Sequence, residues 1–417
     1  MTRETNNLVN WVIGFGLLFP LFYQLSGGIY NGFMQDSGGS VAKLPFPIAV
    51  LACFGGMVVT FKYFRRAYAA FAFVAAMIFA MFLSVVFGSA ELRVELRKLT
   101  VLAQFIMPVF ALILGQMIVD YDNTIAKAFL TVLFVVVPAQ LVSSWMHGSL
   151  TLTHSLYLFS IYQHFQFVPL IFICAFAFAT TSLWRTHKKL LLIFLPVMFI
   201  YTIASVSFLT MAAFVIFAAV FSFLRLRDHR NNNKALVTAI ILLGISVAVG
   251  SVGAYYSKAK SKTSIVGDGG QYIGKFEALA EGKLPINIPE RWADWKLFGN
   301  GIMESPRTIV FGHVEPMARE VRTSAHNWYI DFAYSFGLIS LLPIVTLIVY
   351  TAYLCEVQRN KLTEQTWWLA AIVFYLVVID SNFKVTLRQP YSGIFAYFLW
   401  GLLLSRLRGL ASPRLAT

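Results

Sequence analysis

Charged side chains are scarce in this chain. They make up only 12% of its 417 residues, while 58% are hydrophobic. Soluble domains carry about 25% charged residues, so a soluble globular protein is excluded. Cysteine is nearly absent too. Cys53 and Cys174 lie inside apolar runs and Cys355 in a short connection, which leaves no disulfide framework. Walker A, a GxGxxG opening a helix after a strand, and GxSxG are all missing, so nucleotide-driven transport and serine hydrolysis find no support. Acidic and basic residues within the apolar runs are scarce: Asp120 and Asp380 sit at run ends. Intramembrane ionisable groups mark ion and proton pathways, and their scarcity argues against a coupled transporter. His147, His154 and His164 stand 7 and 10 residues apart with no cysteine or HExxH beside them. No metal site and no cofactor is expected from that spacing, and nothing implies a nucleic-acid partner.

What the chain has in abundance is apolar runs of about 20 residues, each able to cross a bilayer core as a helix. The runs are continuous rather than alternating, so helices are expected and not a barrel. The fold class expected is an all-α polytopic membrane protein, residues 1–417 forming a single transmembrane helical domain. Twelve helices are expected. They run over Leu8–Ser26, Phe46–Thr60, Ala67–Gly88, Thr100–Val119, Ile125–Met146, Phe167–Trp184, Leu190–Ala204, Ser207–Leu224, Ala235–Tyr255, Asn327–Leu354, Thr366–Ile379 and Tyr391–Leu407. The first run follows MTRETNN directly, without a small-residue cleavage site, and reads as a retained helix.

Charge orients the set. With the N-terminus inside, the cytoplasmic segments hold 17 of the 33 basic residues and the short outer loops only six. That asymmetry places both termini in the cytoplasm. It also accounts for about half of the formal net charge of +14. One large periplasmic loop, 256–325, then precedes the tenth helix, and long loops cross regardless of charge. Its first part, SKAKSKTSIVGDGGQYIG, reads as loop. Its second, PINIPERWADWKLF, reads as a short amphipathic helix opened by Pro289 and Glu290. Trp292, Trp295 and Phe298 lie three apart there, which predicts one aromatic face suited to the bilayer interface.

The functional residues expected from the sequence cluster between Arg291 and Gly337. His326 stands where this polar loop meets an apolar segment, and an imidazole titrating near neutrality suits a general base. Asn327 and Asp331 are placed to orient it. Arg291, Arg307, Arg319 and Arg322 precede it, and arginine grips phosphate bidentately at any relevant pH. The plainer readings stand beside these: a structural histidine starting a helix, and a solvated charged loop. Arg388, just before Pro390, reads as an interface anchor or a further phosphate contact. Arg93, Arg97 and Lys98 alternate with Glu91 and Glu95 as a self-neutralising loop.

The stretch AHNWYIDFAYSFG resembles the O-antigen ligase and O-antigen polymerase family of bacterial envelope glycosyltransferases. His326, Asn327, Tyr329, Asp331 and Gly337 match a pattern of His-Asn, an acidic residue, and a glycine eleven positions on. Upstream, Arg291 and Trp295 of RWADW resemble the family's Arg-x-x-x-Trp element, and Gly312 its Gly-rich approach. About twelve helices with one large outer loop is also the family layout. Two positions depart from it: Ser335 replaces an acidic residue, and Phe208 stands where many members carry an arginine.

The resemblance implies transfer of a glycan from undecaprenyl diphosphate to a sugar hydroxyl at the periplasmic face of the inner membrane. The acceptor would be a second lipid-linked glycan or the lipid A core. His326 would act on the acceptor hydroxyl without a metal, Arg291, Arg322, Arg319 and Arg388 would hold the diphosphate, and membrane lipids would surround the chain. A lipid-glycan flippase or transporter is the alternative.

Overall fold

The computed structural model describes residues 2–24, 28, 45–88, 96–146, 152, 156–158, 161–163, 167–205, 207–228, 287–314, 317, 321–322 and 324–411. The chain is mostly helical. Among the described residues, four helices are long and apolar enough to cross a membrane: Phe61–Gly88, Thr124–Met146, Val168–Ala204 and Trp328–Val357. Ile48–Val59, Val101–Met117 and Leu209–Arg225 are shorter apolar helices. The expected helix Ala235–Tyr255 and the first part of the large loop lie outside the described residues.

The chain divides into two compact units. The first is formed by Met1–Leu17, Pro47–Thr124 and Ile286–Thr417. It contains α1 (Arg3–Leu18), α2 (Ile48–Val59), α3 (Tyr68–Gly88), α4 (Leu96–Ile106) and α5 (Phe110–Met117). The second part of this unit contributes α9 (Asn287–Ile302), α10 (Pro306–Phe311), α11 (Trp328–Val357), α12 (Glu364–Phe374) and α13 (Pro390–Ala411).

Prolines set several of its breaks. The first helix was expected over Leu8–Ser26 but ends at Leu18, because Pro20 pushes Phe19 out of the helical region. It starts earlier, at Arg3. The side chains of Asn6 and Asn10 both donate to the Val119 carbonyl, at 2.8 and 2.7 Å, and Arg3 Nε donates to Asp122 at 3.0 Å. Those polar anchors hide the turn from a hydropathy reading. The expected helix Thr100–Val119 is two helices, α4 and α5, separated by the 3-10 turn Met107–Val109, where Pro108 lacks the donor for a continuous ladder.

The centre of this unit is α13, buried at every position from Tyr391 to Leu404. It crosses α5 at two glycines. A Cβ at Gly115 would lie 2.3 Å from the Phe398 carbonyl oxygen, and one at Gly401 2.3 Å from that of Leu112. Backbones meet this closely only where side chains are absent.

The second unit comprises Leu18–Phe46 and Ile125–Pro285. It contains α6 (Thr124–Met146), α7 (Val168–Ala204) and α8 (Phe208–Asp228), with an antiparallel pair, Leu156–Leu158 and Ile161–Gln163. Although helical hydrogen bonding runs through α7, His187 breaks it (φ −125°, ψ 25°). Phe172 and Tyr201 have ring centroids 5.8 Å apart, and Phe176 and Phe194 6.1 Å. A straight helix would separate residues 172 and 201 by about 44 Å. The two halves therefore fold back as a hairpin, matching the separate helices expected over Phe167–Trp184 and Leu190–Ala204. Tyr201 then donates to Gln140 Oε1 on α6 at 2.6 Å. Ser205 caps α7, and Ser207, before α8, accepts from the Thr210 hydroxyl at 2.8 Å. Phe208 is the first residue of α8.

Candidate functional site

The site is built on the turn that enters α11. Asn327 caps this helix, its side-chain oxygen accepting from the N–H groups of Tyr329 (2.9 Å) and Ile330 (3.1 Å). An N-cap asparagine satisfies donors that would otherwise be orphaned at a helix start. One turn in, Asp331 points back. Its Oδ2 accepts from the Ser324 hydroxyl and its Oδ1 from the Ala325 N–H, both at 2.7 Å. Ser324 Oγ in turn accepts from the His326 N–H at 3.0 Å. This net holds His326 at φ +52°, a left-handed conformation costing on the order of 1 kcal/mol or more for a residue with a Cβ. Of the two residues expected to orient the histidine, Asp331 bonds the backbone just before it and Asn327 that of the first helical turn after it.

Behind Asp331 stands Arg388. Its Nη1 is 3.5 Å from Asp331 Oδ2 and its Nε donates to Gln104 Oε1 at 2.9 Å. The guanidinium carbon lies 5.5 Å above the Phe105 ring, and the side chain is 19% exposed. Arg388 is therefore anchored on three sides, joining α4, α11 and the turn before α13.

Gly337 explains the glycine of the motif. The helix expected as one piece over Asn327–Leu354 is broken there, at φ +71° and ψ 174°. The carbonyls of Tyr334 and Ser335, freed by the break, accept from the N–H groups of His313 (2.9 Å) and Val314 (2.7 Å). The Phe336 carbonyl accepts from the hydroxyls of Ser84 (2.5 Å) and Ser340 (2.9 Å). Broken helices persist in apolar surroundings only when such groups are satisfied. Gly312, at φ +73°, meets Gly337 face to face: a Cβ on Gly312 would lie 2.5 Å from the Gly337 nitrogen, and one on Gly337 2.1 Å from the Val310 oxygen.

Helix α9 supplies one of the cations, Arg291. Its inward stripe is Arg291, Asp294, Trp295 and Phe298, spaced i, i+3, i+4, i+7 as one helical face. Phe298 packs edge-on against Tyr334 at 5.0 Å, and Trp295 lies 6.3 Å from Phe383. The aromatic face expected to lie in the bilayer interface is thus divided. Phe298 is buried against protein, Trp295 is half-buried, and Trp292 alone is fully exposed, because the face that packs is rotated by one residue. Arg291 Nη1 donates to the Phe383 carbonyl at 2.8 Å. Asp294, which sequence reasoning passed over, is buried and holds Arg322 by one hydrogen bond, from Nη2 to Oδ2 at 3.0 Å, with Nε in ion-pair contact 2.7 Å from Oδ1. The signal available was its place on the same stripe, three residues after Arg291.

These charges converge electrostatically on His326. Partial burial, and then the positive charge of Arg291, hold its imidazole below the usual histidine value; Asp294 and Asp331 oppose this, and Arg322 adds a smaller downward push. The ring is therefore neutral at pH 7 and able to accept a proton. Burial lowers Arg291 as well, against the pull of Asp380 and Asp294, while the bonds to Asp294 raise Arg322. Arg307 is exposed on α10. Arg319 lies outside the described residues, as do His147, His154, His164, Arg93 and the side chains of Arg97 and Lys98. Among the described residues no three histidine, cysteine, aspartate or glutamate side chains gather as a metal site. The arrangement is an imidazole acted on by the charges of two guanidinium groups and two carboxylates, at the start of an apolar helix. In comparison with known proteins, no family model matches the chain and no curated protein matches it significantly.

Proposed function

We propose that the chain is a membrane glycosyltransferase that moves a glycan from undecaprenyl diphosphate to a sugar hydroxyl at the periplasmic face of the inner membrane. The observation that carries this reading is the turn entering α11, where Ser324 and Asp331 hold His326 at φ +52° and the charges of Arg291 and Arg322 bear on its imidazole. In the reaction, the acceptor oxygen bonds to the anomeric carbon of the donor glycan as its bond to the diphosphate breaks. The hydroxyl proton passes to the imidazole, and the bonding pair leaves with the diphosphate. Arg291 and Arg322 stabilise the charge growing there, the kind of contribution that is usually largest in catalysis. A base in this role contributes roughly 10²–10⁴-fold. Arg388, already engaged with Asp331 and Gln104, is assigned to holding the turn, and its contact with phosphate is secondary. The motif resemblance around His326 and Gly337 supports the same reading.

The test is genetic. A deletion strain complemented with His326→Ala is expected to lose polymer glycan at normal protein abundance, with lipid-linked donor accumulating on the periplasmic leaflet. Donor trapped on the cytoplasmic leaflet would mean transport instead. The lipopolysaccharide ladder of the same strain separates two acceptors. Single capped repeats on the core indicate a polymerase, and uncapped core with accumulated long lipid-linked glycan a ligase.

A further inference from the structure

Asp294 joins two stretches of chain that are distant in sequence. It lies on α9, and the guanidinium it grips belongs to Arg322, 28 residues later and just before His326. The pair combines one hydrogen bond with a close ion-pair contact, its carboxylate side chain 6% exposed and its arginine side chain 42% exposed. A guanidinium offers five N–H donors. The Asp294 carboxylate engages the Nε side of the group through the Nη2 hydrogen bond and the Nε ion-pair contact, and leaves outer Nη donors at the half-exposed end. An arginine held by its inner edge and presenting its outer one is preorganised for a bidentate anion. The same carboxylate bears on His326 and Arg291.

We propose that Asp294 is the positioning residue of this site: it holds Arg322 by its inner edge beside His326, so that the outer guanidinium edge meets the diphosphate of a lipid-linked donor. This rests on the transferase reading for its ligand, and on geometry alone for the positioning. Asp294 itself touches no reacting atom. The charged groups acting on His326 are Arg291 and Asp294 from α9, Arg322 from its own loop and Asp331 from α11.

The experiment uses the full chain in nanodiscs with undecaprenyl diphosphate as the probe. Asp294→Asn keeps the shape of the side chain and removes its charge. It is expected to weaken probe binding by about ten- to a hundredfold, as misplacement of a binding group does, with little change in thermal unfolding. The reciprocal pair Asp294→Arg with Arg322→Asp is expected to unfold near the wild-type midpoint without regaining binding, because the guanidinium then sits on α9. Unchanged binding in Asp294→Asn, or full recovery in the reciprocal pair, overturns the proposal. If Asp294→Asn does not fold, Asp294→Glu, which keeps the charge but displaces it, is measured: weakened binding supports positioning and wild-type binding overturns it. If the wild type ignores the probe, the diphosphate reading falls by itself. Positioning is then judged from the His326 imidazole titration by NMR. Loss of the Asp294 charge lowers its midpoint if the carboxylate stands where we place it, and an unmoved midpoint overturns it.

Discussion

Asp331 shows how a residue can orient a histidine without touching its ring. Five positions after His326, its carboxylate reaches back to Ser324 and Ala325 and so sets the backbone from which the imidazole projects. Asp331→Asn keeps one acceptor oxygen but loses the charge facing Arg388. A buried arginine left without its partner is costly, about 3 kcal/mol where the pair is fully desolvated. Because Arg388 also keeps Gln104, a smaller loss is expected in thermal unfolding. The titration of His326 has its own consequence. Its folded value is pushed below the usual one by burial and Arg291, so the unfolded chain takes up the proton first as pH falls. Stability from this group is present above the usual histidine value and is lost as pH drops through the lower, folded one. The acid limb of a pH–activity profile is likewise expected below the usual histidine range, and Arg291→Gln should move it upward. A limb at or above the ordinary value would contradict the arrangement. From sequence, His326, Arg291 and the motif residues were singled out because their types and spacing are distinctive. Asp294 was not, since one carboxylate in a polar loop declares no partner until the helix face is known.

At the scale of elements, the broken helix is the feature a hydropathy reading cannot deliver. The stretch from Trp328 to Val357 is apolar on both sides of Gly337, and a single straight helix satisfies that pattern equally well. What demands the break is the segment after α10, whose His313 and Val314 N–H groups take the freed carbonyls. A partner more than twenty residues upstream leaves no local mark. Gly337→Ala combines a strained backbone with a Cβ 2.1 Å from the Val310 oxygen. A loss of about 2–6 kcal/mol is expected from strain plus overpacking, read as a lower unfolding midpoint or as protein lost from the membrane. Wild-type stability in that variant would mean the two glycines do not meet. The hairpin at His187 was legible, because Arg185, Lys188 and Lys189 interrupt the apolar run, and charge inside a span is expensive. The face of α9 was mislocated for the converse reason. Trp292 stands at helical spacing from Trp295 and Phe298, but packing selects Asp294 in its place.

For the whole molecule, composition alone indicated a helical membrane protein, and the long apolar helices carry that reading. Close packing within the first unit depends on small residues where α5 crosses α13. Gly401→Val would drive a branched side chain into the Leu112 carbonyl, and a severe loss of folded protein is expected, measured as detergent-extracted yield and monodispersity. Normal yield would show the crossing to be looser than described. Such a crossing was not legible in sequence, because Gly115 and Gly401 are 286 positions apart and neither sits in a local motif.

The central claim is that a neutral imidazole and two guanidinium groups at the entrance to α11 carry out glycan transfer, and it is most directly tested in a purified system. Full-length protein in nanodiscs, given a lipid-linked oligosaccharide and a lipid-linked acceptor without added metal, is assayed for lengthened glycan beside His326→Ala. The account predicts transfer by the wild type and a fall of roughly 10²–10⁴-fold in the variant at equal folded protein. Equal rates in the two would contradict it.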